Sequence, residues 1–456
     1  MATTVLTDYG PTSRAAPKDR VAVAGLWLIL FSIIFLQRFG FVGVPISFAV
    51  AYLVLIVLLL RGSIVIDKTF LALFLLAMAL AAASFFFWKT EASHSSYLYL
   101  LAIAALYMLR FRDPATTFAA ARRFYLNFMF IAALAGMAQF AAQFVVGIEV
   151  IFPLENLPEA ILLPGYNIII PLSWGAAIVK SNGLFFLEPS FYSQFLAIAL
   201  ILEMLGRQRA LRCGAYALAL ISSYSGTGML TLVFFLPFVI ARRVSLPIMA
   251  AGLVLVVAVV MSMSVLDFGS ILSRIDEFSD PQSSGFARFI SPFYLIRDFL
   301  MPSPINLLFG MGPGTIEPAI TRASYLAYLA HDPTWIKLIF EYGVIGGLAI
   351  FAYVVGAMYV GGDHKLFRTA LLFTWLFLGG YLLSGLINIL LVALGALHSR
   401  PAARTQERAL VIPPPPNPRP RPQRFDPAAW PDGPQGREVS GDPVADPMPT
   451  LRRPRR

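Results

Sequence analysis

The sequence is poor in cysteine, histidine and charge. Its single cysteine, Cys213, rules out an internal disulfide, so outward loops must be ordered without one. The four histidines, His94, His331, His364 and His398, are scattered, and no apolar segment pairs carboxylates at ligand spacing. A metal centre is therefore poorly supported. The one acidic cluster, Asp276, Glu277 and Asp280, reads as loop solvation rather than an ion site. No glycine-rich stretch carries the Lys-Ser/Thr that completes a P-loop, which excludes that mode of nucleotide binding. Charged residues make up only 13 % of the chain, against 58 % hydrophobic, and the mean hydropathy is +0.73. A soluble chain of 456 residues needs more polar surface. The composition points to lipid as the solvent.

What is there is a series of apolar runs separated by short charged loops. Runs near membrane-crossing length lie at about 21–37, 41–60, 69–88, 96–109, 124–147, 189–205, 210–224, 226–241, 246–265, 334–360, 366–382 and 384–398. The expected fold is all-α: a polytopic transmembrane bundle of about twelve spans. The last two runs are separated by Gly379, Gly380, Ser384 and Gly385, so one long tilted helix is the alternative there. Arg14, Lys18 and Arg20 precede the first run, and no small-residue cleavage site follows it. It reads as an uncleaved helix rather than a signal peptide.

The net charge of +10 is not one basic patch. About half of the excess lies after His398, and the rest sits mainly in loops. This pattern sets membrane orientation and gives no reason to invoke nucleic acid. Arg61 and Lys68, then Arg110, Arg112, Arg122 and Arg123, then Arg207, Arg209 and Arg212, then Arg242 and Arg243 all fall in even-numbered loops. Those loops share a side with residues 1–20 and the basic 400–408 segment, and that side is expected to be the cytoplasm. Both long loops, 148–188 and 266–333, then face outward, and long ordered loops are commonly functional. The tail, 399–456, holds prolines at 413–416 and an Arg-Pro repeat at 419–422. It reads as polyproline-rich disorder, or as a cytoplasmic docking segment.

Three segments carry residues suited to chemistry. In 180–195, Glu188 precedes Pro189 at a helix start, where it either satisfies the helix dipole or orients a substrate hydroxyl. Ser190 is the expected cap of that helix. Lys180, just outside, either snorkels to the interface or contacts a phosphate. In 284–314, Arg288 is a lone cation among aromatics, either solvated or gripping a phosphate through its planar fork. Arg297 follows, and the glycine-rich 310–314, with Gly312 and Gly314, is either an empty turn or a source of N–H groups for an anion. In 331–347, His331 lies just before a span, where a histidine is either structural or a general base. Glu341 lies within that span, four residues after Lys337, and is expected to pair with it.

In their order and sidedness these segments resemble the bacterial polysaccharide polymerase (Wzy-type) and O-antigen ligase family over about 20–398. The family pattern Arg-x-x-Gly-x-Phe-x-x-Pro becomes Lys180, Gly183, Phe185 and Pro189 here. Its loop arginine and Gly-x-Gly turn become Arg288 and 310–314, and its His-Asn with a later Glu-x-Gly-x-x-Gly becomes His331, Glu341, Gly343 and Gly346. Three departures stand out. Lys180 replaces an arginine, Asp332 replaces an asparagine, and the small-polar turn at 223–228 lacks its common arginine.

The resemblance implies a GT-C-type membrane glycosyltransferase of the bacterial inner membrane, with both termini cytoplasmic and with no cofactor or metal. It would polymerise undecaprenyl-diphosphate-linked repeat units into an exopolysaccharide or O-antigen at the periplasmic face. His331, Arg288 and Glu188 would be catalytic. Lys180, Arg288, Arg297, Gly312 and Gly314 would hold the diphosphate. Membrane lipids, a chain-length regulator and export proteins would be its partners. Ligase-type transfer to a lipid or protein acceptor is one alternative; a lipid-linked oligosaccharide transporter or flippase is the other.

Overall fold

A computed structural model describes residues 17–41, 43–87, 92–172, 176–241, 283–323 and 332–400. His331, the 246–265 run, all of 266–282 and the tail from 401 lie outside the described residues. The architecture is all-α, with two small antiparallel ribbons. One pairs Gly40 with Pro45, and the other pairs Ile64 with Phe111.

Local chemistry starts the helices where the sequence changes character. Asp67 caps Lys68–Ala82 by accepting from the Thr69 N–H at 3.0 Å. Asp113 caps Pro114–Ala142 through the Thr116 N–H at 3.3 Å, with proline at the first helical position. Ser93 caps His94–Ala105 in the same way.

The expected count of about twelve spans is corrected. Among the described residues, three helices are long and apolar enough to cross a membrane by length and composition: Lys68–Phe87, Pro114–Ala142 and Thr334–Tyr359. The other apolar runs form shorter helices. Pro189–Met204 has 16 residues, so it rises about 24 Å, less than a hydrocarbon core of about 30 Å. Turns follow these helices close to the ends of their apolar runs. Gln208 and Tyr224 adopt left-handed conformations after Met204 and Ser222 respectively. The 366–398 region is two helices, Lys365–Phe377 and Gly385–Leu394, separated by a turn through Gly379 and Gly380 and by the 3-10 segment Tyr381–Leu383.

Pro189–Met204 sits at the centre, with nearly every side chain buried. It packs against Gly226–Ile240 and Ala210–Ser222. Gly228 permits the first contact, because a Cβ there would overlap the Ser193 carbonyl. Pro17–Phe35 packs on Ile46–Leu60 and Pro114–Ala142, and Thr334–Tyr359 on Lys68–Ala82. At the bundle's periphery Leu60 and Val145 are 82 % and 86 % exposed, and Leu53, Leu75, Phe86, Leu98 and Val233 are exposed beside them. An apolar exterior over an equally apolar core suits a lipid environment.

The segment 148–172 runs across the bundle as short helical turns and extended chain. Arg38 ties it down, through a two-pronged ion pair with Glu155 at 3.0 and 3.1 Å and a hydrogen bond to the Leu163 carbonyl.

Candidate functional site

The Thr334–Tyr359 helix breaks near its first third. Gly343 takes φ 67° and ψ −176°, a left-handed extended conformation open to glycine. The break frees the Phe340 and Glu341 carbonyls. They accept the Met311 and Gly312 N–H groups at 2.7 and 3.0 Å. A Cβ on Gly310 would collide with the backbone at Glu341, and one on Gly343 with the backbone at Leu308. The glycines at both positions thus let two chain segments lie backbone to backbone. Gly346 likewise lets the helix approach Ala81.

Beside this break lies a cavity of about 300 Å³, with Glu188, Arg288, Gly314, Asp332, Lys337 and Tyr381 among the residues around it. Such a volume is at the lower end for a small-molecule site. Separate elements supply these groups. Glu188 is the residue at the N-cap of Pro189–Met204. Arg288 ends the Ser284–Phe289 helix. Asp332 and Lys337 flank the start of Thr334–Tyr359, and Tyr381 comes from the turn after Lys365–Phe377. The Thr334 N–H and hydroxyl both donate to the Gly379 carbonyl, at 3.0 and 3.2 Å, and the same hydroxyl accepts the Tyr381 N–H at 3.0 Å. That lock holds the Asp332 side of the cavity to the Tyr381 side.

Glu188 does not cap its helix with its side chain. Its carboxylate accepts the Ser190 hydroxyl at 3.0 Å and the Asn167 N–H at 3.4 Å. Ser190 is therefore inside the helix and anchors Glu188, rather than capping the helix itself. Arg288 makes no ion pair or hydrogen bond among the described residues, and its buried Nε lacks a partner. Asp332 is 6 % exposed. Burial pushes its carboxyl up to about 7 against the pull of Lys337, with Glu317 and Glu341 adding to the rise. Lys337 and Glu341 form the expected ion pair at 3.6 Å, with the glutamate fully buried.

The structure thus brings Glu188, Arg288 and Gly314 to one cavity and leaves the other expected phosphate contacts apart from it. Lys180 belongs to the 148–188 segment, where its N–H donates to the Ile170 carbonyl, and it does not line the cavity. Arg297 is exposed, pairs with Asp298 at 2.6 Å and lies over the Tyr294 ring. The Gly312 N–H is taken up by the Glu341 carbonyl, because the helix break needs a donor there. His331 lies outside the described residues, immediately before Asp332.

The sequence carries no signal that Asp332, Lys337 and Tyr381 line a cavity. Asp332 stands out only where the polymerase and ligase pattern it resembles has an asparagine. Lys337 stands out only as a partner for Glu341, and Tyr381 only as one residue of the apolar run 366–382.

No family model matches the chain, and no curated protein matches it at a significant level.

Proposed function

We propose that this chain is a membrane glycosyltransferase that transfers a glycan from a lipid diphosphate carrier to a sugar hydroxyl, most simply as a polymerase of lipid-linked repeat units. The observation that carries this reading is convergence. Glu188, Arg288 and Asp332 are far apart in sequence, come from three of the segments with chemical character, and line one cavity. The cavity's chemistry suits a carbohydrate. Carboxylates at Glu188, Glu317 and Asp332 can accept hydrogen bonds from hydroxyls, while Tyr166, Phe191 and Tyr381 offer ring faces to the sugar's C–H surfaces. Arg288, with no protein acid as partner among the described residues, is the cation available to a departing diphosphate. The pair His331–Asp332 carries the proton acceptor. A GT-C-type architecture in the bacterial inner membrane, with the cavity on the periplasmic side, completes the reading, supported by the apolar exterior and by the basic loops.

Purified protein in lipid nanodiscs, given undecaprenyl-diphosphate-linked oligosaccharide, should produce a ladder of longer lipid-linked products. Transfer to a different lipid or protein acceptor would reassign it as a ligase. The broken helix beside the buried Lys337–Glu341 pair favours a second reading, because interrupted spans with ionisable groups are also the sites of coupled transporters. Movement of the labelled oligosaccharide across the bilayer without extension would select it.

A further inference from the structure

Within that site, and resting on the reading above, we propose that Asp332 is the group that takes the proton from the attacking sugar hydroxyl. Three observations single it out among the acids of the cavity. Asp332 is buried yet borders the cavity, and its carboxylate meets its own backbone N–H but is held by no other described residue through a hydrogen bond or ion pair. Glu188 instead accepts two hydrogen bonds, from Ser190 and Asn167, which tie each of its oxygens to the protein. Glu317 is exposed on the Ile316–Arg322 helix, and water solvates it.

The backbone around Asp332 is also fixed. Pro333 follows it as the N-cap residue, and Thr334 is locked to Gly379 through both its N–H and its hydroxyl. A base held this way needs little reorganisation when the acceptor arrives. The charged and titratable groups around it come from every neighbouring element. Lys337 and Glu341 lie on its own helix, Glu317 on Ile316–Arg322, Arg288 on Ser284–Phe289, Glu188 at the start of Pro189–Met204, and Tyr381 and Tyr166 complete the wall. Burial outweighs the pull of Lys337, so the carboxyl titrates near neutrality, as a working base should.

In the step itself the acceptor oxygen forms a bond to the donor's anomeric carbon. The bond from that carbon to the diphosphate oxygen breaks, and its electron pair leaves with the diphosphate. The hydroxyl proton passes to an Asp332 carboxylate oxygen and is later lost to water.

The test uses the full chain in nanodiscs with lipid-diphosphate-linked repeat units, between about pH 5.5 and 9. The wild type should extend the units with a rate that rises with pH through about 7. Asp332→Asn, which keeps shape and removes the charge, should lose about 100-fold or more and the rising limb with it. Asp332→Glu should restore part of the rate. His331→Ala should keep the limb. Infrared titration of the protonated-carboxyl band, wild type against Asp332→Asn, should show a group titrating near neutrality whether or not the protein turns over.

An active Asp332→Asn variant with the limb intact, a rate that falls as pH rises, or loss of the limb in His331→Ala alone would each overturn the role of Asp332 while leaving the transferase reading in place. Absence of extension by the wild type would overturn that reading, and the proton step with it.

Discussion

The Thr334–Tyr359 helix has polar groups packed at both ends, and the two ends treat them differently. At the far end Arg110 donates through Nη1 to the Tyr107 and Leu109 carbonyls at 2.7 and 2.8 Å, and through Nη2 to Ala357 at 3.4 Å. It also lies 4.5 Å over the Phe70 ring. Burial lowers its guanidinium to about 10, which leaves it charged at neutral pH. Arg368 donates to the Met358 carbonyl and to the Ser399 hydroxyl, which in turn donates to Ala357. His398 is held between Thr117 and the Ala393 carbonyl. Arg110 and Arg368 meet the orphan carbonyls and negative dipole of a helix C-terminus, at Ala357 and Met358. The terminal nitrogens of Arg110 and the Nη1 of Arg368 end on the protein, although the Arg110 Nε is itself buried without a partner.

At the near end the reverse holds. Arg288 has no hydrogen-bond or ion-pair partner among the described residues, the Asp332 carboxylate is held by no other described residue's hydrogen bond or ion pair, and both border a space large enough for a ligand. Burial alone therefore does not set the role of a charge. A buried charge whose donors end on backbone carbonyls holds the fold, whereas one that borders a cavity is available to a substrate.

Substitutions can break or sharpen that contrast. The largest effect on stability is expected for Lys337→Met, which leaves Glu341 buried without its counter-charge. Removing one partner of a buried pair costs about 3–5 kcal/mol, so the protein should unfold at markedly lower temperature in detergent. The double variant Lys337→Met/Glu341→Gln should recover most of it. A single variant as stable as wild type would show that Glu341 does not depend on Lys337.

Next, Arg288→Ala should slow extension by about 100-fold or more, with little change in unfolding temperature. Arg288→Lys should remain impaired, because a point charge lacks the planar fork. Steady-state rates together with a melting curve check both halves. A large fall in melting temperature would move Arg288 to the structural side of the comparison.

Arg110→Met should do the opposite. Unpaired carbonyls cost about 1–3 kcal/mol, so stability should fall while the folded fraction keeps its specific activity; a selective loss of rate would erase the contrast. Smallest is Glu155→Gln, which weakens a part-buried ion pair to Arg38 worth about 1 kcal/mol or less. It should raise hydrogen exchange in 148–163 and leave the rest of the bundle unchanged.

Some of this could be read from the sequence because its physics is local. The apolar runs at 69–88 and 334–360 coincide with helices of membrane-crossing length, since burial of an apolar run in a helix needs no distant partner. The Lys337–Glu341 pair follows from four-residue spacing on one helix. Span count did not follow in the same way. Hydropathy registers the apolar runs, but those at 189–205 and 210–224 form helices of only 16 and 13 residues.

The site divides along the same line. The sequence by itself determined the apolar helical character, the residue types suited to phosphate and sugar chemistry, and the candidacy of Glu188 and Arg288. Only the tertiary structure decided that these two meet Asp332, that Lys180 and Arg297 stand elsewhere, and that the Gly312 N–H goes to a broken helix rather than to an anion. The reason is physical. A carboxyl's affinity for its proton, and the partners left to a guanidinium, depend on which segments exclude water around them. Around Asp332 those segments run from Tyr166 through Glu188 to Tyr381, stretches far apart in the chain that fold back to one point.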